Sequence, residues 1–400
     1  MVIRPDSDHP FFKEWESRKF NSQRSLIRTL ELVKQLGIPS SLPFPAVAIV
    51  GSKGKGSTVA VLSRILVNSG LKVGAITSPA YTNNRERIRL SNRMIPVDDY
   101  IELSGVLAGH LDKLSTPNEG YLSPAGAYLA MGLKYFIDQK VDIVLIEEGM
   151  GGESDEISLF DFDAIVLTSV FMEHAGVLGN TELEIAKNLL GIATEKTTFL
   201  FAPEMKSHIE AEIDSMVLAK RLVRVFPNIV WPDAGFDRPT VLKSNSELAA
   251  TAAKVLIEVY FCEAQLALPL EVNIPGRYML VNQAETGFHD WFIDSANNPV
   301  SIESLLRFLN DKVRMPDQVF ACFSNDRNQA LGLEMLGDLS VTEVEIKNSR
   351  GKPGTYKLDA ISLEEALLLA RACDGLTLFF GSIWFISNIL EAIGANLECW

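Results

Sequence analysis

Eight residues, Gly51-Ser52-Lys53-Gly54-Lys55-Gly56-Ser57-Thr58, join the apolar run AVAIV at 46–50 to an apolar-faced segment at 58–69. The run reads as a buried strand. The segment, with Leu62, Ile65 and Leu66 on one face, reads as a helix, and LKVGAI at 71–76 as a second strand. Strand, loop, helix and strand in this order make a βαβ unit, and therefore a parallel sheet. The glycines let the backbone curl so that its N–H groups converge on an anion at the positive end of the helix. In such a loop Lys55 would reach the terminal phosphates of ATP, and Ser57 or Thr58 would give an oxygen to Mg²⁺. The competing reading is a glycine-rich turn that only links strand to helix; the strand before it and the helix after it favour phosphate.

The alternation continues on both sides. Residues 24–36 read as a helix stopped by Gly37 and Pro39. Residues 124–138, 181–195 and 246–261 also read as helices, the second with Thr181 and Glu184 as a capping box. Residues 141–146 and 164–169 read as buried strands. Pro269, Pro275 and Gly276 then interrupt the pattern between 264 and 280. A second series follows, with strands expected at 291–294, 318–323, 342–346 and 376–380. Its helices are expected at 300–311, 328–336, 362–373 and 383–393. The expected architecture is α/β: an ATP-binding P-loop domain over 1–270 with a parallel sheet, and a smaller Rossmann-like domain over 271–400. Two such domains leave a cleft that can close over substrates.

Composition narrows the partners. Of 400 residues, 47% are hydrophobic and 22% charged, enough for large cores without staples. The net charge of −14 repels nucleic acid and anionic membranes, so an ATP site must be built locally from amides, lysine and Mg²⁺. The four cysteines, at 262, 322, 373 and 399, form no C-x-x-C pair, which argues against zinc or a disulfide framework. With no apolar signal core and no long apolar run, the expectation is a cytoplasmic monomer acting on small molecules, without nucleic-acid or membrane partners.

Four further residues stand where chemistry is expected. Glu147 ends a buried strand before a glycine cluster, which aims its carboxylate into the ligand crevice; it reads as a Mg²⁺ ligand or as a solvated loop acid. His174, just after another strand, reads as structural or as a metal ligand. Arg277 lies at the domain junction and suits a phosphate oxygen or an interdomain salt bridge. Asp294 ends the first strand of the second domain, where it would accept from a ribose hydroxyl.

Beyond the loop itself, the chain carries Thr77-Ser78-Pro79 followed by Glu86-Arg87-Ile88-Arg89, and Glu147-Glu148-Gly149-Met150-Gly151-Gly152 with Asp155. Then come Thr168-Ser169 through Glu173-His174, Asn245, Pro275-Gly276-Arg277, Asp294-Ser295-Ala296-Asn297-Asn298-Pro299 and Gly381-Ser382. In this order they resemble the folylpolyglutamate synthase/dihydrofolate synthase family of the Mur ligase superfamily. The family's counterparts are G-x-x-G-K-G-S, T-S-P-H-L…N-E-R-I-R, E-V-G-L-G-G-R-L-D, T-S-I-x-x-D-H, P-G-R and D-x-A-H-N-P. The resemblance implies a Mur-ligase-like P-loop domain and an ATP-dependent ligase that activates a carboxylate as an acyl phosphate and joins it to glutamate. It implies that Asn245, Arg277 and Asp294 contact ATP, and that Ser78, Glu147 and His174 hold a second metal.

The departures from those motifs cluster. Leu189 stands where the family has a carbamylated lysine, and Lys187 on the same helix points elsewhere. Asn297 replaces the histidine of H-N-P, Glu153 an arginine, Ala80 a histidine, and Asn84-Arg85 the usual F-N. Lys53 stands where many members have asparagine. The phosphate loop and Glu147 are intact. Three readings follow: a folate-type glutamate ligase, the same chemistry on another carboxylate, or a nucleotide-binding protein that does not ligate.

Overall fold

A computed structural model describes residues 9–18, 23–114, 120–172, 176–230, 240–269, 272–282, 290–323, 339–346 and 360–400. The helix expected at 328–336 lies outside the described residues. Eight strands form the first sheet: β1 (Ala46–Val50), β2 (Val73–Ile76), β3 (Ile88–Leu90), β4 (Arg93–Met94), β5 (Ile143–Glu147), β6 (Ala164–Leu167), β7 (Phe199–Phe201) and β8 (Val223–Val225). Their order is β4-β3-β2-β5-β1-β6-β7-β8. The six strands from β2 to β8 in that order pair in parallel, as the βαβ reading requires, and β3 and β4 add an antiparallel edge.

Helices cover both faces: α1 (His9–Ser17), α2 (Leu26–Gln35), α3 (Lys55–Asn68), α4 (Val97–Leu111), α5 (Pro124–Gln139), α6 (Glu182–Leu190), α7 (Ser207–Lys220) and α8 (Thr240–Tyr260). The period-2 alternation of β1 splits its side chains between two cores. Ala46, Ala48 and Val50 pack in the core that holds Tyr128 and Phe136 of α5. Val47 and Ile49 pack on the other face with Leu62 and Leu66 of α3 and Leu248 and Leu256 of α8. Each fully buried Leu, Ile or Phe contributes about 1.5–3 kcal/mol, so a strand buried on both faces is fixed firmly in register.

The second sheet comprises β9 (Met279–Val281), β10 (Trp291–Asp294), β11 (Gln318–Cys322), β12 (Val341–Glu345), β13 (Ile361–Ser362) and β14 (Thr377–Gly381). Its order is β13-β12-β11-β14-β10-β9, parallel except for β9. The helices α9 (Pro299–Lys312), α10 (Leu363–Ala372) and α11 (Ile383–Ala392) accompany it. Phe320, Phe379 and Phe385 fill one face; Phe292, Leu305 and Phe380 fill the other.

Some boundaries differ from the sequence reading. Helix α3 begins at Lys55, three residues before the expected start, with Gly54 as its cap. Helix α6 ends at Leu190 rather than 195. Thr181 caps it by accepting from the Glu184 N–H at 3.1 Å, but the Glu184 carboxylate turns to the Asn180 N–H at 2.6 Å, so the box is one-sided.

The last residues of the chain return to the first sheet. Cys399 bridges antiparallel to Arg93 at the β4 edge, and the Met94 N–H donates to the Glu398 carbonyl at 3.0 Å. The Arg89 guanidinium donates to the carbonyls of Leu397 (2.8 Å) and Glu398 (3.2 Å) and lies 4.7 Å from the Trp400 ring centre. Among the described residues no helix is long and apolar enough to cross a membrane.

Candidate active site

The C-terminal ends of β2, β5, β1 and β6 lie side by side, with the strand order reversing about β1, and this is where parallel α/β sheets open a ligand crevice. The loop after β1 is held there by backbone geometry that only glycine satisfies. Gly51 has φ +135°, and a Cβ on it would sit 2.2 Å from Thr168 Oγ1. Gly54 has φ +90°, and its Cβ would meet the Asn245 amide at 2.7 Å, which also shows how closely Asn245 of α8 lies against the loop. The end of β6 pins the loop from below. The Ser52 N–H donates to the Ser169 carbonyl (2.8 Å), the Lys53 N–H to Ser169 Oγ (3.0 Å), and Thr168 Oγ1 to the Lys53 carbonyl (2.6 Å). Helix α3 therefore points its N-terminus, with the positive end of its dipole, into the crevice.

A cavity of about 100 Å³ opens in front of that terminus, lined by Ser57, Ser78, Glu147, Arg277, Arg89 and Trp400 among others. The Ser78 N–H donates to Glu147 Oε2 at 3.1 Å, and a Cβ on Gly56 would lie 3.4 Å from Glu147 Oε1. Burial pushes the Glu147 carboxyl up to about 7 against the pull of Lys55 and the Ser78 amide, with Glu148 adding to the rise. Ser57 borders the cavity, whereas Thr58 is fully buried and does not. Of the two hydroxyls the sequence left open, the helix register turns Ser57 outward and Thr58 into the core. The Ser57 and Ser78 hydroxyls and the Glu147 carboxylate are hard oxygen donors of the kind Mg²⁺ takes. The described residues contain no group of three or more His, Cys, Asp or Glu able to hold a metal. His174 lies outside the described residues.

Residues of the second sheet close the other side of the crevice. Burial opposes the Arg277 charge, but Tyr81, Asp294 and Glu147 hold it ionised. Asp294 is 3% exposed and burial raises its carboxyl. Its two oxygens accept from the Tyr278 and Ala296 N–H groups, each at 2.7 Å. Lys53 Nζ donates to Asn297 Oδ1 at 3.0 Å, and the Tyr81 and Ser295 hydroxyls meet at 3.1 Å. Lys55 Nζ turns back to the Gly51 carbonyl at 2.5 Å and stands 3.5 Å from Glu148 Oε1. Leu189 has no exposed surface and belongs to the main core.

Glu148, Tyr81 and Trp400 were not singled out from sequence. Glu148 had a signal, because an acid directly after a buried strand is unusual unless it is paired. Tyr81 and Trp400 had none, since their partners lie hundreds of residues away.

No protein-family model matches the chain. The dihydrofolate synthase/folylpolyglutamate synthase of Bacillus subtilis is 33% identical over 178 residues, 44% of this chain and 41% of that protein. A bifunctional Haloferax volcanii relative is 34% identical over 180 residues, only 21% of its own length. These stronger matches thus span less than half of either relative. Over nearly the full length, the dihydrofolate synthase/folylpolyglutamate synthase of Buchnera aphidicola from Schizaphis graminum is 21% identical across 402 aligned positions, covering 92% of this chain and 93% of that one. In fold, the apo form of L. casei FPGS superposes with a TM-score of 0.80 at 21% identity, covering 98% of this chain and all of that one. Along most of its length the chain is thus similar to a dihydrofolate synthase/folylpolyglutamate synthase, and it shares its two-domain fold with the apo form of L. casei FPGS.

Proposed function

We propose that the chain is an ATP-dependent carboxylate–amine ligase that adds glutamate to a folate- or dihydropteroate-type carboxylate. The observation that carries this reading is the meeting of Ser57, Ser78, Glu147 and Arg277 around one cavity at the N-terminus of α3. A nearby fold is the FPGS–AMPPCP–folate complex, with a TM-score of 0.81 at 20% identity. In this account the γ-phosphoryl group passes to the carboxylate, releasing ADP. The amine nitrogen then attacks the acyl carbon, phosphate leaves, and the nitrogen loses a proton. Such transfer is mostly positioning and charge neutralisation. Lys55 and the loop residues Gly51 to Ser57 cradle the phosphates, Arg277 reaches a phosphate oxygen as the cleft closes, and Asn245 and Asp294 contact the nucleoside. Mg²⁺, held by Ser57 and Glu147 with Ser78 beside them, would neutralise phosphate charge, and the family motif makes His174 a candidate further ligand. The division of labour falls at residue 270: 1–270 carries the phosphate loop, and 271–400 supplies Arg277 and Asp294 to the closed nucleotide site and binds the amino acid.

Leu189 supports a second reading within the same chemistry. A leucine buried in the core brings no anion to a second metal, so the acceptor carboxylate can differ from that of relatives that keep the lysine. The test is ADP release by purified protein with Mg²⁺, glutamate and dihydropteroate or a folate, alongside a panel of other carboxylates and amines. Glutamate- and folate-dependent release supports the first reading. Release with a different pair supports the second, and ATP binding without any release contradicts both.

A further inference from the structure

Glu148 is 1% exposed and lies beneath the phosphate loop. Its Oε2 accepts from the Gly51 N–H at 2.9 Å. Its Oε1 accepts from the Gly151 N–H at 3.1 Å and stands 3.5 Å from Lys55 Nζ. Glu147 and Glu148 are neighbours on the chain with different fates: Glu147 borders the cavity, while Glu148 turns under the loop. In the E-V-G-L-G-G motif that residues 147–152 resemble, the position of Glu148 is a valine. This chain therefore carries a buried negative charge below its phosphate loop where the motif has none. A buried carboxylate is costly unless paired, and among the described residues its ion-pair partner is Lys55.

We infer that Glu148 is a counter-anion built into the phosphate loop. It holds the Lys55 ammonium while the site is empty and competes with the terminal phosphates for it. Nucleoside di- and triphosphates are thereby held more weakly than the loop alone would hold them, and ADP leaves readily. The inference rests on the nucleotide site of the proposed ligase. Two features separate competition from simple bracing. A brace would help every nucleotide, and its loss would weaken them all. A competitor for Lys55 acts only on ligands whose phosphates extend far enough to reach that ammonium, and its loss tightens them.

The test is calorimetric titration of AMP, ADP and ATP, with Mg²⁺, into the wild type, Glu148→Gln and Glu148→Val. Glutamine keeps the volume and one acceptor; valine is the residue of the family motif, so a folded variant is available if one of the two fails. The expected result is tightening of ADP and ATP by roughly tenfold, at the scale of one lost charge interaction, with AMP unaffected. Unchanged or weaker ADP and ATP binding in the folded variants overturns the inference. Absence of any ADP or ATP binding by the wild type is a different failure, that of the phosphate-loop reading itself.

Discussion

Lys53 and Asn297 join the two halves of the cleft through one hydrogen bond, 3.0 Å from ammonium to amide oxygen. Lys53 belongs to the phosphate loop, and Asn297 follows β10 of the second sheet. The two residues have different expected weights. Lys53→Met removes a cation beside the phosphates and should lower ATP affinity by roughly tenfold. Asn297→Ala leaves that cation in place and removes only a neutral acceptor, for a loss of less than about threefold. Calorimetry on both variants checks this, and equal losses would contradict a direct role for the Lys53 charge.

Glu147 is the acid expected to hold Mg²⁺. In Glu147→Gln the gain in ATP affinity that Mg²⁺ brings to the wild type should collapse, and ligation should fall by at least about 100-fold, the scale of a lost electrostatic contact in a closed site. Titrations with Mg²⁺ and with chelator, on both proteins, measure it. A variant whose ATP binding still responds fully to Mg²⁺ would move the metal elsewhere.

Glu14 ties α1 to α2. It is paired with Arg28 and accepts from the Leu122 N–H at 2.9 Å. Burial works against its ionisation, but Arg28 and the Leu122 amide outweigh it and hold the carboxyl below its ordinary 4.5. A depressed carboxyl adds stability that is complete above 4.5 and is lost as pH falls through the lower folded value. Glu14→Gln should therefore lower the melting temperature at neutral pH and flatten its decline in acid. Thermal melts across that range check the prediction; an unchanged acid limb would remove Glu14 from the explanation.

Arg89 is 2% exposed, and burial lowers its guanidinium to about 10. It is kept in place by the carbonyls of Leu397, Glu398 and Asn92 and by the Trp400 ring. Arg89→Ala strands those carbonyls and frees the chain end, at a cost of about 2 kcal/mol. Urea unfolding gives the cost, and protease sensitivity of the bond after Leu397 should rise with it. A variant as stable and as resistant as the wild type would show that the terminal clasp contributes nothing.

What was legible in the sequence is what rests on local pattern. The run at 46–50 is β1 without change of boundary, because a five-residue apolar segment between Pro45 and Gly51 has few alternatives. Gly54 and Gly56 lower helix propensity and push the expected start of α3 to 58, whereas the structure uses Gly54 as a left-handed cap and starts the helix at once. Strands β3, β4 and β13 are two or three residues long, too short to show a period of two. Helix α4 is hard to read from sequence because Gly105 and Gly109, both exposed, lower its helix propensity. Within the crevice, the loop, Glu147 and Arg277 were legible as motifs. Glu148 under Lys55, Tyr81 against Ser295 and Trp400 against Arg89 were not, because each depends on a long-range contact that no spacing encodes.

The most direct measurement is calorimetric titration of ATP into the wild type and Lys55→Met, each with Mg²⁺ in excess. The account predicts one ATP bound per wild-type chain and binding weakened by at least roughly 100-fold in the variant, in line with a lost charge-assisted phosphate contact. A wild type that takes up no ATP, or a variant that binds it as well, would contradict the claim that the turn from Gly51 to Thr58 grips a triphosphate.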